Sequence, residues 1–142
     1  MISFDAKNIN MPDADFSKIV KWLNEVASNF NKIIGNLNYI FCDDEEILNV
    51  NRQFLQHDYF TDIISFDYSH KDRLSGDIFI SVDTVKSNAQ KFNTNYKTEL
   101  LRVIVHGLLH LCGIDDKGPG EREIMEENEN NALALYNNIV VR

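Results

Sequence analysis

No run of about 18 apolar residues occurs in this 142-residue chain, so nothing in it reads as a membrane-spanning helix. The opening Met1–Lys7 stretch has no basic patch followed by an apolar run, and no secretory signal is expected there. Two cysteines, Cys42 and Cys112, are too few to frame a disulfide scaffold. No CxxC spacing is present to suggest a cysteine zinc site, and Cys112, set in an apolar run, reads as a reduced thiol packed as a small hydrophobe. A reducing cytoplasm is the expected compartment. Repeats, low-complexity tracts and linkers are missing as well.

Basic residues are in short supply, 14 against 22 acidic ones, for a net charge of −8. That balance argues against a nucleic-acid partner held by overall charge, because phosphate binding is dominated by Lys and Arg. The charge is uneven, however. Acid is concentrated in Asp43-Asp-Glu-Glu46 and in the stretch from Glu121 to Glu129, whereas Lys71, Arg73, Lys86, Lys91, Lys97 and Arg102 lead into the histidine segment. A local basic cleft on an acidic protein stays open. By default the acidic runs are solvated helix faces.

What is present is a single domain, residues 1–142, with 44% apolar residues to bury. Ile2-Ser-Phe-Asp reads as a short strand, with a turn over Asn8–Pro12. Asp13 or Asp15 caps a helix to about Phe30 that carries Phe16, Ile19, Val20, Leu23 and Val26 at helical spacing. Gly35 and Asn36 break it, Leu37–Cys42 is a strand, and Asp43-Asp44 cap a helix through Ile47, Leu48 and Phe54. Strands over Asp62–Tyr68 and Gly76–Ser81 flank a polar loop, Ser69–Ser75, of a length that suits an antiparallel connection. Val82–Phe92 is helical. Tyr96–Cys112 is apolar around most of its circumference and belongs at the centre of the molecule. After the turn Gly118-Pro-Gly120 comes a last helix with Ile124, Met125, Leu133 and Leu135. The expected class is mixed α/β (α+β): a small mixed sheet of about four strands covered by helices, with one central buried helix.

That central helix carries the most informative motif, His106-Gly-Leu-Leu-His110-Leu-Cys-Gly113-Ile-Asp-Asp116. Histidines four apart lie about 40° apart around a helix, so both imidazoles point the same way. Gly113 ends the helix, and the turn that follows can swing Asp116 back toward them. Two nitrogens and a carboxylate oxygen with an open position form a catalytic zinc set. The plainer reading is a structural pair, but two imidazoles among aliphatics each need a partner, and one metal supplies both. Gly107 stands where an H-E-x-x-H peptidase keeps its general base, which turns the motif away from peptidase chemistry.

These residues, with their neighbours, resemble the bacterial YbeY endoribonucleases, the rRNA maturation factors. The family signature has the form H-G-x-L-H-L-x-G-Y-D-H and stands here as His106-Gly-Leu-Leu-His-Leu-Cys-Gly-Ile-Asp-Asp116. Leu48-Asn49, Asp58-Tyr-Phe-Thr-Asp-Ile-Ile-Ser-Phe66 and Gly76-Asp-Ile-Phe-Ile80 are similar to its LN, PT-x-VLSF and LGDI blocks in order. The acidic stretch Glu123-Ile-Met-Glu-Glu-x-Glu129 is similar to its closing helix.

The resemblance implies a mixed α/β fold, one Zn²⁺ on the histidine motif, and metal-dependent cleavage of single-stranded rRNA. The implied setting is maturation of the 16S 3′ end and ribosome quality control, with the small subunit or ribosome-associated proteins as partners. Two departures stand out. The family's third histidine is Asp116 here, which keeps a zinc-compatible set and shifts preference toward a harder ion such as Mn²⁺; Asp115 is the adjacent alternative. The family's arginine falls at Leu55, and Arg52, one helical turn earlier, is the substitute that could clamp a phosphate. Arg102, four residues before His106, is the second candidate. The strand at Gly76-Asp77 is expected to wall the cleft, with Asp77 near a metal-bound water or in a turn. Two rivals remain: a zinc peptidase-like hydrolase, and a non-catalytic ribosome-assembly factor whose metal is structural.

Overall fold

The computed structural model describes residues 1–56 and 61–140. His57 and the Asp58–Phe60 start of the second sequence block lie outside the described residues. The elements run β1 (Ile2–Ala6), α1 (Phe16–Asn29), β2 (Ile33–Cys42), α2 (Asp44–Leu55), β3 (Ile63–Asp67), β4 (Arg73–Ser81), α3 (Val82–Lys91), α4 (Tyr96–Leu111) and α5 (Glu121–Tyr136). This is the expected alternation and the expected mixed α/β class. The strands form one sheet in the order β1-β2-β4-β3, with β1, β2 and β4 parallel and β3 antiparallel at the edge. No helix among the described residues is long and apolar enough to cross a membrane.

Helix starts follow side-chain caps. Asp15 accepts from the Lys18 N–H, Asp43 from Glu46, Ser81 from Thr84 and Asn95 from Thr98, each satisfying a first-turn donor. The first helix therefore ends at Asn29, and the chain reverses at Asn31, which has φ 60°. Gly35 and Asn36 break no helix. They sit inside β2 at an irregularity of register with β4 between Ile34 and Leu37, a bulge that lets the strand begin at Ile33. Likewise β4 starts at Arg73, within the expected loop. Ser69 Oγ accepts from the Ser75 N–H at 3.1 Å, so polar side chains extend the hairpin that composition read as loop.

Period-two alternation splits the sheet's faces. Leu37, Tyr39, Phe41, Leu74, Ile78 and Ile80 join the main core with residues of α1, α3, α4 and α5. The other face is only partly covered, by α2: Cys42 and Ile64 pack with Ile47 and Val50 in a second small cluster. Beside it runs a polar ladder in which Ser3 Oγ donates to Asn38 Oδ1 at 2.5 Å and Asn38 Nδ2 donates to Asp77 Oδ1 at 2.9 Å.

Helix α4 is as central as its composition demands. It touches α1, α3, α5, β3 and β4. Buried Tyr39 donates its hydroxyl to the Ile104 carbonyl at 2.8 Å, fastening the helix to the sheet. Across α1 and α5, Trp22 Nε1 donates to the Ala132 carbonyl at 2.7 Å. The histidine helix is thus held from every side but one, and that side opens into a cleft.

Candidate metal centre and its cleft

One stripe of α4 forms the floor of an open cleft of about 770 Å³: Glu99, Arg102, Val103, His106 and His110 recur at three- and four-residue steps. The edge strand β3 supplies a wall through Ile63, Ile64 and Ser65, and α5 supplies the other through Met125, Glu126 and Glu129. The expected wall at Gly76-Asp77 is not there. Ile78 and Ile80 face the main core, so Asp77 points to the opposite face, where it accepts from Asn38.

The end of α4 delivers the aspartates. The Ile114 N–H bonds to the Leu109 carbonyl at 3.1 Å and the Gly113 N–H to the His110 carbonyl at 3.0 Å. With Gly113 at φ 99°, this is a Schellman motif, and only glycine holds such a φ without steric cost. The reversed chain brings the Ile114 carbonyl to 3.3 Å from His110 Nδ1 and Asp116 Oδ2 to 3.3 Å from His106 Nε2. Asp116 lines the cleft and Asp115 does not; its Oδ1 stands 4.0 Å from His110 Nδ1, and its side chain is exposed.

His106 and His110 are parallel, 4° between ring planes and 6.5 Å between centroids. Each has its Nδ1 beside an acceptor, Glu129 Oε2 at 2.7 Å for His106 and the Ile114 carbonyl for His110. An acceptor at Nδ1 favours the tautomer that leaves Nε2 as the lone-pair nitrogen, as in histidines that bind a metal through one ring nitrogen and donate the other N–H to an acceptor. Two donors on a tetrahedral zinc at ~2.0–2.1 Å stand about 3.3 Å apart, the separation of His106 Nε2 and Asp116 Oδ2. Among the described residues no three His, Cys, Asp or Glu side chains form a group that could hold a metal ion in this conformation. The fit therefore rests on donor chemistry and the His106–Asp116 pair. Neither cysteine joins the donors: Cys42 Sγ donates to the Ile80 carbonyl at 3.5 Å, and Cys112 packs against the core.

Charge in the cleft is tightly coupled. Burial works to lower the His106 pKa, but the hydrogen bond and charge of Glu129, with Asp116 and Asp62, carry it above the ordinary imidazole value. Burial would raise Glu129, but hydrogen bonds and charge from His106 and Arg102 hold it below the usual carboxylate range. Asp62 and Glu99, both on the cleft, are pushed up chiefly by burial.

Arg102 lies in this network. Its Nη1 donates to Glu129 Oε1 at 2.8 Å and its Nη2 to Asn130 Oδ1 at 2.7 Å. Arg52 is elsewhere: it is exposed on α2 and does not line the cleft, whereas buried Asn51 and half-exposed Leu55 do. Helix phase explains the difference. Residues four apart lie about 40° apart around the helix and residues three apart about 60° apart on the other side, so the face of Leu55 is shared more closely by Asn51.

Six charged cleft residues were not singled out in the sequence: Asp62, Glu99, Lys117, Arg122, Glu126 and Glu129. A signal for Glu129 existed. Met125, Glu129 and Ala132 are the buried residues of α5, so the acid falls on the apolar stripe. Lys117 and Arg122 make no ion pair among the described residues and carry positive charge to the Asp116 end of the cleft.

The Endoribonuclease YbeY family model matches residues 1–137. The chain is 60% identical over 135 residues to the endoribonuclease YbeY of Phocaeicola vulgatus, covering 95% of this chain and 98% of that one. To the endoribonuclease YbeY of Bacteroides thetaiotaomicron it is 58% identical over 134 residues, covering 94% and 98%. A solution structure of a Thermotoga maritima protein superposes with a TM-score of 0.66 at 28% identity, covering 96% of this chain and 89% of that one.

Proposed function

The chain belongs to the YbeY endoribonuclease family, and from that premise we propose a metal-dependent endoribonuclease acting on single-stranded rRNA, in maturation of the 16S 3′ end and in ribosome quality control. The metal is held by His106, His110 and Asp116, with Zn²⁺ as the first candidate and Mn²⁺ as the harder alternative. The observation that supports the reading is the acceptor beside each Nδ1, which favours a lone pair on each Nε2, with the Asp116 carboxylate 3.3 Å from that of His106. The cytoplasm, where rRNA is found, is the proposed location.

When bound, the ion supplies a Lewis acid for a phosphoryl oxygen and acidifies water near neutral pH. The chain's own residues do the rest. Glu129 fixes the His106 ring and braces Arg102, so a permanent positive charge stands over the cleft without reorganising. Among the described residues two of the five guanidinium N–H donors of Arg102 make hydrogen bonds, and Arg102 lines the cleft, where a phosphate oxygen can take another. RNA carries its own nucleophile in the 2′-OH, so stabilising charge and orienting the strand meets most of the demand.

The peptidase reading loses ground at Gly107. A Cβ there would stand 2.9 Å from Ile78 Cδ1 and 3.1 Å from Ile63 Cδ1, so the position faces the sheet rather than the histidine cleft. The decisive experiment measures bound metal by elemental analysis, and cleavage of single-stranded rRNA fragments, in the wild type, His106→Ala and Asp116→Ala. Metal and cleavage are expected together in the wild type and lost together in His106→Ala. Cleavage by His106→Ala at the wild-type rate would sink the proposal. Metal that sets the melting temperature while cleavage is absent and ribosome association persists would favour the assembly-factor reading.

A further inference from the structure

The stripe on α4 gives the cleft two unlike ends. From Glu99 to His110 is eleven residues, roughly 16 Å of helix. Asp116, Lys117 and Arg122 gather at the His110 end. The Glu99 end is capped by the α3–α4 junction, where Asn88, Phe92 and Thr94 line the cleft. The junction is fixed to the start of α4 by its own backbone, the Thr94 N–H bonding the Ala89 carbonyl at 2.9 Å and the Glu99 N–H the Asn95 carbonyl at 3.1 Å.

Phe92 is 57% exposed, although it caps the C-terminus of α3 and its N–H is bonded to the Asn88 carbonyl at 2.9 Å. It belongs to neither apolar cluster and, among the described residues, stacks on no other ring. A single exposed aromatic ring is ordinary on a protein surface. This one faces the cleft that holds the histidines, with the Asn88 amide one helical turn away and Lys91 Nζ 5.5 Å from its centroid. A flat apolar face, an amide and a cation are what single-strand binders set against an unpaired base and its phosphate.

We propose that the Phe92 end of the cleft is a nucleobase site, resting on the reading of this chain as an RNA-cleaving enzyme. The ring stacks on a base of the bound strand, Asn88 meets that base's polar edge, and Lys91 faces its phosphate. Because the Glu99 end of the cleft lies roughly 16 Å along the helix from His110, the base it holds is not that of the nucleotide being cut but another of the same strand. Phe92 is thus a positioning residue that favours unpaired RNA, since a base held in a duplex must first be unpaired and unstacked to reach the ring.

The test is binding of a short fluorescein-labelled single-stranded oligoribonucleotide, followed by anisotropy in chelator so that nothing is cut. Phe92→Ala is expected to weaken binding roughly 5- to 150-fold, the range seen when a stacking aromatic is removed, and Phe92→Trp to restore it. The slope of affinity against salt should not move, because no ion pair is lost. An abasic residue walked along the strand should cost the wild type affinity at one position and cost Phe92→Ala nothing further there. With metal restored, the loss should appear in KM with kcat nearly unchanged. The proposal is overturned if Phe92→Ala binds within about twofold of wild type, or if the two losses simply add. A Phe92→Trp variant that fails to restore binding also overturns it. If wild type neither binds the strand in chelator nor cuts it with metal, the functional reading fails first and takes the base site with it.

Discussion

Glu129 Oε2 stands 2.7 Å from His106 Nδ1, while Oε1 of the same carboxylate stands 2.8 Å from Arg102 Nη1. One buried acid on α5 therefore sets the tautomer of a candidate metal ligand and the position of a candidate phosphate clamp on α4. Removing it takes from the Arg102 guanidinium its ion-pair partner and from the His106 imidazole its Nδ1 acceptor. Glu129→Ala should cost about 3 kcal/mol or more of folding stability, read by urea denaturation. Glu129→Gln, which keeps an acceptor, should fold better yet bind zinc or manganese roughly 10- to 100-fold more weakly, read by competition with a chromophoric chelator. Unchanged metal affinity in the glutamine variant would mean that the contact only joins two helices.

Arg102 and Arg52 are separated by the same geometry. Arg102 reaches the cleft beside His106, and Arg52 is exposed outside it. Arg102→Ala should lower RNA cleavage on the order of 100-fold, the size of losing one preorganised donor to a developing charge. Arg52→Ala should change it by no more than about fivefold, as an exposed charge does. Cleavage assays below the melting temperature of both variants decide this, and the reverse order of effects would return the clamp to α2.

How much of this was legible depends on distance along the chain. Helix α4, its end at Gly113 and its histidine face follow from local spacing, and so do the Asp15 and Asp43 caps. Strand starts at Ile33 and Arg73 were hidden because a bulge and a pair of serines, Ser69 and Ser75, do the work of apolar alternation. Glu129 meets His106 across 23 residues, a tertiary fact with only its place on the α5 stripe to hint at it. Arg52 is the opposite case: its residue type suits the task, and helix phase puts Asn51 and Leu55, not Arg52, on the cleft lining.

Both thiols should be inert and should set an alkaline limit. Burial pushes Cys42 up to about 12 and Cys112 up to about 11, with nearby acids adding to the rise at Cys42. In the unfolded chain each thiol deprotonates at about 8.5 to 9. Above that pH the unfolded state sheds protons that the folded state keeps, so this stability is whole below about pH 8.5 and falls as pH rises through 11 to 12. At pH 8, a thiol reagent should label the native protein on the order of 100-fold more slowly than the urea-unfolded chain. Equal rates would mean that one thiol is a reactive site rather than packing.

Gly107 supplies the sharpest contrast with peptidases. Its missing Cβ lets α4 sit directly on Ile78 and Ile63, with added-atom distances of 2.9 to 3.2 Å. Gly107→Ala sets a helix-propensity gain of about 1 kcal/mol against an overpacking cost of about 1–3 kcal/mol, so its net effect should be small and unfavourable. Gly107→Glu, which rebuilds the H-E-x-x-H pattern, drives a carboxylate into the same gap. It should lose about 3 kcal/mol or more and gain no peptidase activity, because the new side chain points at the sheet instead of the cleft. A folded Gly107→Glu protein that cleaves a casein substrate in zinc, and stops when the zinc is chelated, would show that the peptidase reading had been set aside too early.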